Sequence, residues 1–450
     1  MSTVIKLKKG LDIRLDGSPA PEVCNLPVSG YYAVKPTDFA GLVPKMILRE
    51  GDPVKAGTPL FCDKNNPEVL FCSPVSGTLE NIVRGDKRKI LEVIVKASEN
   101  QESVQFSKPD ISVQKREEII ELMLKSGVWP SLIQRPYGYI ASPKIVPDAI
   151  FVSGFSSAPL APDYNILLKG NEPEFKTGMQ VLSALSGKLY LGLNVKQKGL
   201  PVFDGLIGTE VNFFEGPHPA GNVGVQIHHI RPVGKGNNVW TMSLQDVIIL
   251  GRLFRSGVYN PLITISLSGS MVTTPKHFSL LKGMRADYFA KGLIKEGLAR
   301  YISGNVLTGT KINSDGFLGF YDDMVTVIPE GKHHEFLGWI APGFNKFSIS
   351  RTFFSWLMPK KNYNLDSNIN GGSRAFVFTG LYEKVLPMDI YPMQLLKSCL
   401  AKDIDKMEAL GIYEVLEEDL ALCEVICPSK TNVQEILREG LDYIAKEMNG

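Results

Sequence analysis

The chain lacks most features that would declare a chemistry at first sight. Its six cysteines are scattered over 450 residues, which argues against a disulfide framework and fits a reducing compartment. No apolar run approaches the ~20 residues of a membrane span. Lysine plus arginine (49) nearly balances aspartate plus glutamate (47), for a formal net charge of +2. No long basic run breaks that balance, so nucleic acid is not expected as a partner. No G-x-G-x-x-G stands between a strand and a helix, and no P-loop is present; the usual phosphate-cradling backbones are missing. The N-terminus, MSTVIKLKKGLDIRL, has charges but no apolar signal-peptide core, which predicts a protein on the cytosolic side.

What is present has ordinary globular composition, 44% hydrophobic and 21% charged, and a length that suggests about three domains. Residues 1–100 read as all-β, with short apolar runs such as Leu60–Cys62 and Ile90–Val95 separated by turn signals such as Glu50-Gly51-Asp52-Pro53. A polar linker near 100–112 leads to an amphipathic helix over Val113–Ser126, ended by Gly127. Apolar strands at Ala149–Val152 and Leu189–Val195 flank a helix over Glu174–Leu185, a β-α-β alternation that predicts a parallel sheet. Ser243-x-x-Asp246 reads as a capping box that starts a helix with Val247, Leu250, Phe254 and Val258 on one face. Leu262–Leu267 is a buried strand. Residues 270–330 read as short β elements with one helix, Phe278–Lys291, ending in the strand Met324–Ile328. The last 60 residues are helical, and Val433, Leu437, Leu441, Ile444 and Met448 form one stripe.

Candidate chemistry sits in three places. Phe214–Val233, FEGPHPAGNVGVQIHHIRPV, reads as a Gly/Pro-rich bend with His218, His228 and His229, half of the six histidines. Neither His228–His229 nor His333–His334 chelates one ion readily, because neighbours on a strand point to opposite sides. In residues 331–365, Phe336, Trp339, Phe344, Phe347, Phe353, Phe354 and Trp356 alternate with Lys346, Arg351, Lys360 and Lys361. That mixture suits core packing, a partner-docking surface or a lipid-headgroup anchor. Cys423-x3-Cys427-Pro428 is a fragment of an iron–sulfur run, but a cluster needs four thiolates and the remaining cysteines are wrongly spaced. Buried small hydrophobes account for them better.

Two resemblances give these parts an order. Gly51-Asp52-Pro53-Val54 through Ser73-Pro74-Val75-Ser76-Gly77 resembles the biotinyl/lipoyl carriers, a flattened barrel; the place of their modified lysine falls here on Asn66, which cannot be acylated. Phe214–Gly221, Trp240 with Gln245-Asp246-Val247, Pro342–Ser348 and Glu418–Pro428 together resemble the A-subunit family of the Na+-translocating NADH:quinone oxidoreductases. That family is related to the flavin subunit of complex I and to the C subunit of the Rnf complex. The resemblance spans essentially the whole chain. It implies a multidomain α/β and α+β protein: a carrier-like barrel-sandwich hybrid (1–100), a Rossmann-like α/β domain with a degenerate flavin site (101–260), a β-grasp, SLBB-like domain (261–330), an aromatic-rich connection (331–390) and a helical C-terminal domain (391–450). The flavin-binding relatives carry a Gly-rich loop where this chain has Ser126-Gly127-Val128-Trp129-Pro130, and an acidic Glu-Cys-Glu-Pro where it has Ser156-Ser157-Ala158-Pro159.

The implied role is a peripheral subunit on the cytoplasmic face of the bacterial inner membrane, in a translocase that moves electrons from NADH to quinone and exports Na+. NADH, flavins, iron–sulfur and quinone are expected in the whole complex, with no cofactor or metal bound by this chain and no catalytic residue assigned to it. The other subunits, chiefly the membrane-embedded B subunit, are the expected partners. His218, Trp339, Phe344 and Phe347 are the candidates for a quinone site or a subunit interface. The alternative is a soluble flavin- or nucleotide-dependent oxidoreductase.

Overall fold

The computed structural model describes residues 3–107, 115–332, 342–369 and 372–449. The end of the expected linker (108–112), and Trp339 with Phe336, His333 and His334, lie outside the described residues. From Tyr31 to Ala97 the chain forms two antiparallel sheets. One holds Tyr31–Val34, Ile90–Ala97, Gly77–Arg84 and Pro53–Val54; the other holds Pro44–Met46, Pro59–Asp63 and Leu70–Cys72. Their inward residues, among them Leu60, Phe61, Leu79 and Val93, are fully buried, and Phe61 stacks on Phe71 at 4.6 Å.

The α/β part is a seven-stranded sheet ordered Val4–Lys6, Thr209–Glu215, Leu189–Asn194, Ala149–Ser153, Val239–Ser243, Ile133–Arg135, Tyr139–Ile140. The first five of these run parallel, as the β-α-β alternation predicts. Alternating side chains enter different cores. Ile150 and Val152 join the core that includes the helices Arg116–Ser126, Glu172–Leu185 and Leu244–Ser256, while Ala149 and Phe151 meet Ile227 of the helix Val223–Ile230. Strands covered on both faces need continuous apolar runs, and AIFV at 149–152 is one. The edge strand Val4–Lys6 is not part of the barrel: it pairs in parallel with Phe213–Glu215.

A six-stranded sheet follows, ordered Thr310–Ile312, Ala299–Ser303, Met324–Pro329, Leu262–Ser268, Lys276–Leu281, Val23–Asn25. It corrects the helix expected over Phe278–Lys291. Lys276–Leu281 is a strand paired antiparallel from Leu262↔Leu281 to Leu267↔Lys276, and only Asp287–Ala290 is helical. A short apolar run cannot be told from a helix segment by period alone. Pairing with the largely buried strand Leu262–Ser268 decides it, and Gly283, at φ 76°, turns the chain away.

The C-terminal helices Pro392–Ala401, Ile404–Ala409, Glu417–Ile426 and Val433–Asn449 build a second core. Val433, Leu437, Leu441 and Ile444 are fully buried, as their stripe predicts, whereas Met448 is 48% exposed in the last turn. Cys423 and Cys427 are buried in this core.

Candidate functional site: the crevice at the switch point of the sheet

From Ala149–Ser153 the chain adds Leu189–Asn194 and Thr209–Glu215 on one side, then returns to place Val239–Ser243 on the other. Where strand order reverses in this way, the connections part beyond the carboxyl ends of the two central strands, and open α/β sheets bind ligands there. In this chain the gap is a cavity of ≈ 460 Å³ reached by Ser153, His218, Ser243, Tyr164, Asp323 and Glu418, among others.

One wall is the loop after Thr209–Glu215. The bend expected over 214–233 is shorter than its composition suggests, because Val223–Ile230 is helical. The remaining turn, 216–222, contains a cis His218–Pro219 bond. His218 is buried, with its N–H donating to Asp12 Oδ1 (2.9 Å). Its Nδ1 lies 3.0 Å from Ser157 Oγ, which accepts the Gly221 N–H at 2.8 Å. A neutral imidazole carries one ring N–H, and the Ser157 hydroxyl, with one donor and two acceptor sites, can partner Nδ1 in either tautomer. Desolvation pushes the imidazole down to about 4, so it is neutral at pH 7. His228 and His229 lie on the helix, not on a strand, and part company there: His228 Nδ1 meets Glu414 (2.7 Å) and His229 Nε2 meets the Pro387 carbonyl (2.8 Å). Among the described residues no group of three or more His, Cys, Asp or Glu could hold a metal ion.

The opposite wall is built on Asp246, in the first turn of Leu244–Ser256. Ser243 caps that helix, accepting the Asp246 N–H at 3.1 Å. The expected box is not closed. The Asp246 carboxylate instead accepts from Ser243 Oγ (2.6 Å), Ser131 Oγ (3.0 Å) and Lys282 Nζ (2.5 Å). Lys282 also sits 4.1 Å above the Phe320 ring. The third wall comes from the C-terminal helices: Arg135 pairs with Glu418 (2.6 Å) and Asp419 (3.0 Å). The Glu417–Ile426 helix comes so close to Val223–Ile230 that a Cβ on Gly224 would sit 2.2 Å from Asp419 Oδ2.

Carboxyls dominate the rest. Burial pushes Asp38 and Asp323 up to about 6 and raises Asp322 as well. Glu418 is raised by desolvation and by the neighbouring Asp419 charge. Tyr164 donates to Asp323 at 2.9 Å, and Ser303 to Asp322 at 2.6 Å. Such a lining does not favour an anion. Both nearby helix N-termini, which could hold a phosphate, already face carboxylates of the chain itself: Asp246 on Leu244–Ser256 and Asp419 beside Gly224.

The chain matches the NqrA N-terminal barrel-sandwich hybrid domain over residues 5–98, the NqrA second alpha/beta domain over 114–259 and the NQRA C-terminal domain over 264–314. The A subunit of the Na(+)-translocating NADH-quinone reductase of Histophilus somni (strain 2336) is 39% identical over 448 residues, 99% of this chain and 100% of that one. The chain belongs to the NqrA family. Two further NqrA relatives, from Neisseria meningitidis serogroup B and Pasteurella multocida, are each 38% identical over 99% of this chain and 100% of their own. Among solved structures, an NAD+-reducing NiFe hydrogenase in the air-oxidized state is similar at 11% identity and a TM-score of 0.38, over 76% of this chain and 63% of that one.

Of the residues singled out in this NqrA sequence, His218 lines the crevice, and Phe344 and Phe347 do not. Phe347 packs against the C-terminal core, and Phe344 is 52% exposed. The carboxyl lining escaped the sequence reading. One signal was present: Asp322-Asp323 stands directly before the buried strand Met324–Pro329, where at least one carboxyl has to be drawn out of water.

Proposed function

We propose that this chain is a peripheral subunit of a respiratory complex that transfers electrons from NADH to quinone and exports Na+, and that it binds no redox cofactor of its own. The full-length identity to named A subunits supports this reading. Among the described residues no helix is long and apolar enough to cross a membrane, so attachment through the membrane-embedded B subunit accords with it. The alternative, a soluble flavin enzyme, is not favoured. A flavin or nucleotide phosphate in the crevice would meet Asp246 and Asp419 at the two helix N-termini. The space beside Val239–Ser243 is also filled: Trp129 is fully buried, donates to the Ala141 carbonyl (2.7 Å) and meets Trp240 edge-on at 5.5 Å. The residues present do not fit a flavin, which accords with a degenerate site.

The test is to isolate the chain from native membranes in mild detergent. Membrane subunits should accompany it, and the chain, once separated from them, should show no flavin bands. Recovery alone, or with flavin absorption, would overturn the reading.

Within that role the crevice is offered as a quinone-headgroup site. With the Ser157 hydroxyl donating to Nδ1, His218 Nε2–H would donate to a carbonyl oxygen, and the raised carboxyls would be near a reaction, NADH + H+ + quinone → NAD+ + quinol, that places two protons on the quinone. In the assembled complex, His218→Ala should raise the quinone KM several-fold. Unchanged KM and turnover would remove His218 from consideration.

A further inference from the structure

The aromatic run after residue 341 divides into two populations. Phe347 and Ile349 pack against the C-terminal core. Phe347 meets Tyr363 edge-on at 5.5 Å, and the Tyr363 N–H donates to the Arg14 carbonyl at 2.9 Å. These contacts fasten the segment from behind. On its outer side Phe344, Phe354, Trp356 and Leu357 are 52%, 51%, 48% and 59% exposed. They are held in a definite shape. Phe354–Leu357 forms a single helical turn, buried Ser355 donates to the Lys346 carbonyl at 2.5 Å, and Phe344 contacts Phe354 at 5.7 Å. An ordered cluster of large apolar side chains facing water marks a surface that something covers.

Charge indicates what covers it. Between Pro342 and Leu365 there are four basic residues, Lys346, Arg351, Lys360 and Lys361, and no acidic one. Arg351 lies 5.7 Å over the Trp356 ring, which places cation and aromatic at the same level. Protein interfaces are depleted in lysine. Tryptophan and phenylalanine among one-signed cations are the chemistry of an anionic headgroup layer.

We propose that the Phe344–Lys361 segment rests directly on an anionic lipid surface, with Trp356 and Leu357 inserted and Lys360 and Lys361 at the headgroups. This goes beyond attachment through a neighbouring protein, because it gives the chain a lipid contact of its own.

Co-sedimentation of the full chain with vesicles tests it. Vesicles of phosphatidylglycerol and phosphatidylethanolamine should bind the chain at low salt and release it at high salt, and phosphatidylcholine vesicles should not bind it. A lysine near such a surface is worth about fivefold in partition, so Lys360→Gln with Lys361→Gln should weaken binding roughly 25-fold. Trp356→Ser with Leu357→Ser should abolish binding while circular dichroism shows an unchanged melt. Lys361 also donates to the Phe344 carbonyl and to Asn345 Oδ1, so Lys360→Gln alone, expected to weaken binding about fivefold, keeps the test valid should either pair disturb the segment. The proposal falls if the anionic vesicles bind nothing, if phosphatidylcholine binds equally, or if the lysine variant binds like the parent. It falls equally if the Trp356/Leu357 variant still binds vesicles but no longer co-purifies with the membrane subunits, since the patch would then belong to a protein.

Discussion

Asp246 and Lys282 form a buried pair, 2.5 Å apart and 2% and 7% exposed at the side chain, that joins the α/β domain to the following sheet. Removing one member of such a pair leaves an uncompensated charge and costs about 3–5 kcal/mol. Asp246→Asn or Lys282→Met should therefore lower chemical stability by about that much, and the double variant by less than the sum. Denaturation curves at pH 7.5 check both expectations. Asp323 and His218 give opposite pH dependences. The folded state holds the Asp323 proton up to about pH 6, well above an ordinary aspartate, so this group loses stabilising influence as pH rises from about 4 to 6. Asp323→Asn, which can still accept from Tyr164, should raise the melting temperature at pH 8 relative to the parent and give no such gain at pH 4. His218 is neutral in the fold down to about pH 4. Its contribution is full above the ordinary histidine value of ~6.5 and is lost as pH falls towards 4. His218→Gln should flatten that limb of the melting profile. Ser243-x-x-Asp246 was legible as a cap from spacing alone. The destination of the aspartate was not, because Lys282 sits in the turn after the strand Lys276–Leu281, 36 residues away, and local spacing says nothing of it.

Element by element, the sequence was readable wherever the neighbours that decide a segment are close in the chain. Arg116–Ser126 carries its own stop signal in Gly127, which is left-handed at φ 76°, and the buried stripe of Val433–Asn449 follows from period alone. Lys276–Leu281 was misread because its partner strand, not its own pattern, makes it a strand. Val223–Ile230 was hidden by the Gly/Pro density before it. Gly224 in that helix is there for closeness, not for conformation: a methyl group would strike Asp419 Oδ2 at 2.2 Å and Arg135 Nη1 at 2.6 Å. Gly224→Ala should push the Glu417–Ile426 helix off the sheet domain at a cost of about 1–3 kcal/mol. Limited proteolysis should then cut the C-terminal helices faster than in the parent, while a barrel variant of equal stability would leave that rate unchanged.

At the scale of the molecule, the first 25 residues tie the parts together. Val4–Lys6 closes one edge of the α/β sheet, Val23–Asn25 extends the edge of the next, and the barrel follows from Tyr31. Three-residue strands show no period, so this stitching could not be read in advance. Deleting residues 1–9 should bare the Thr209–Glu215 edge, an open pairing template, and light scattering should show more aggregation on heating than in the parent. The same arrangement has a consequence in time. Val4–Lys6 leaves the ribosome well before its partner, which lies about 210 residues later in the chain, so at roughly 5–20 residues per second it waits roughly 10–40 s. The barrel can close at once, but the N-terminal tail must stay loose until the sheet behind it exists. Newborn chains therefore pass through a stage in which an early strand is unclaimed, and a bulky N-terminal fusion would act at that moment rather than on the finished fold.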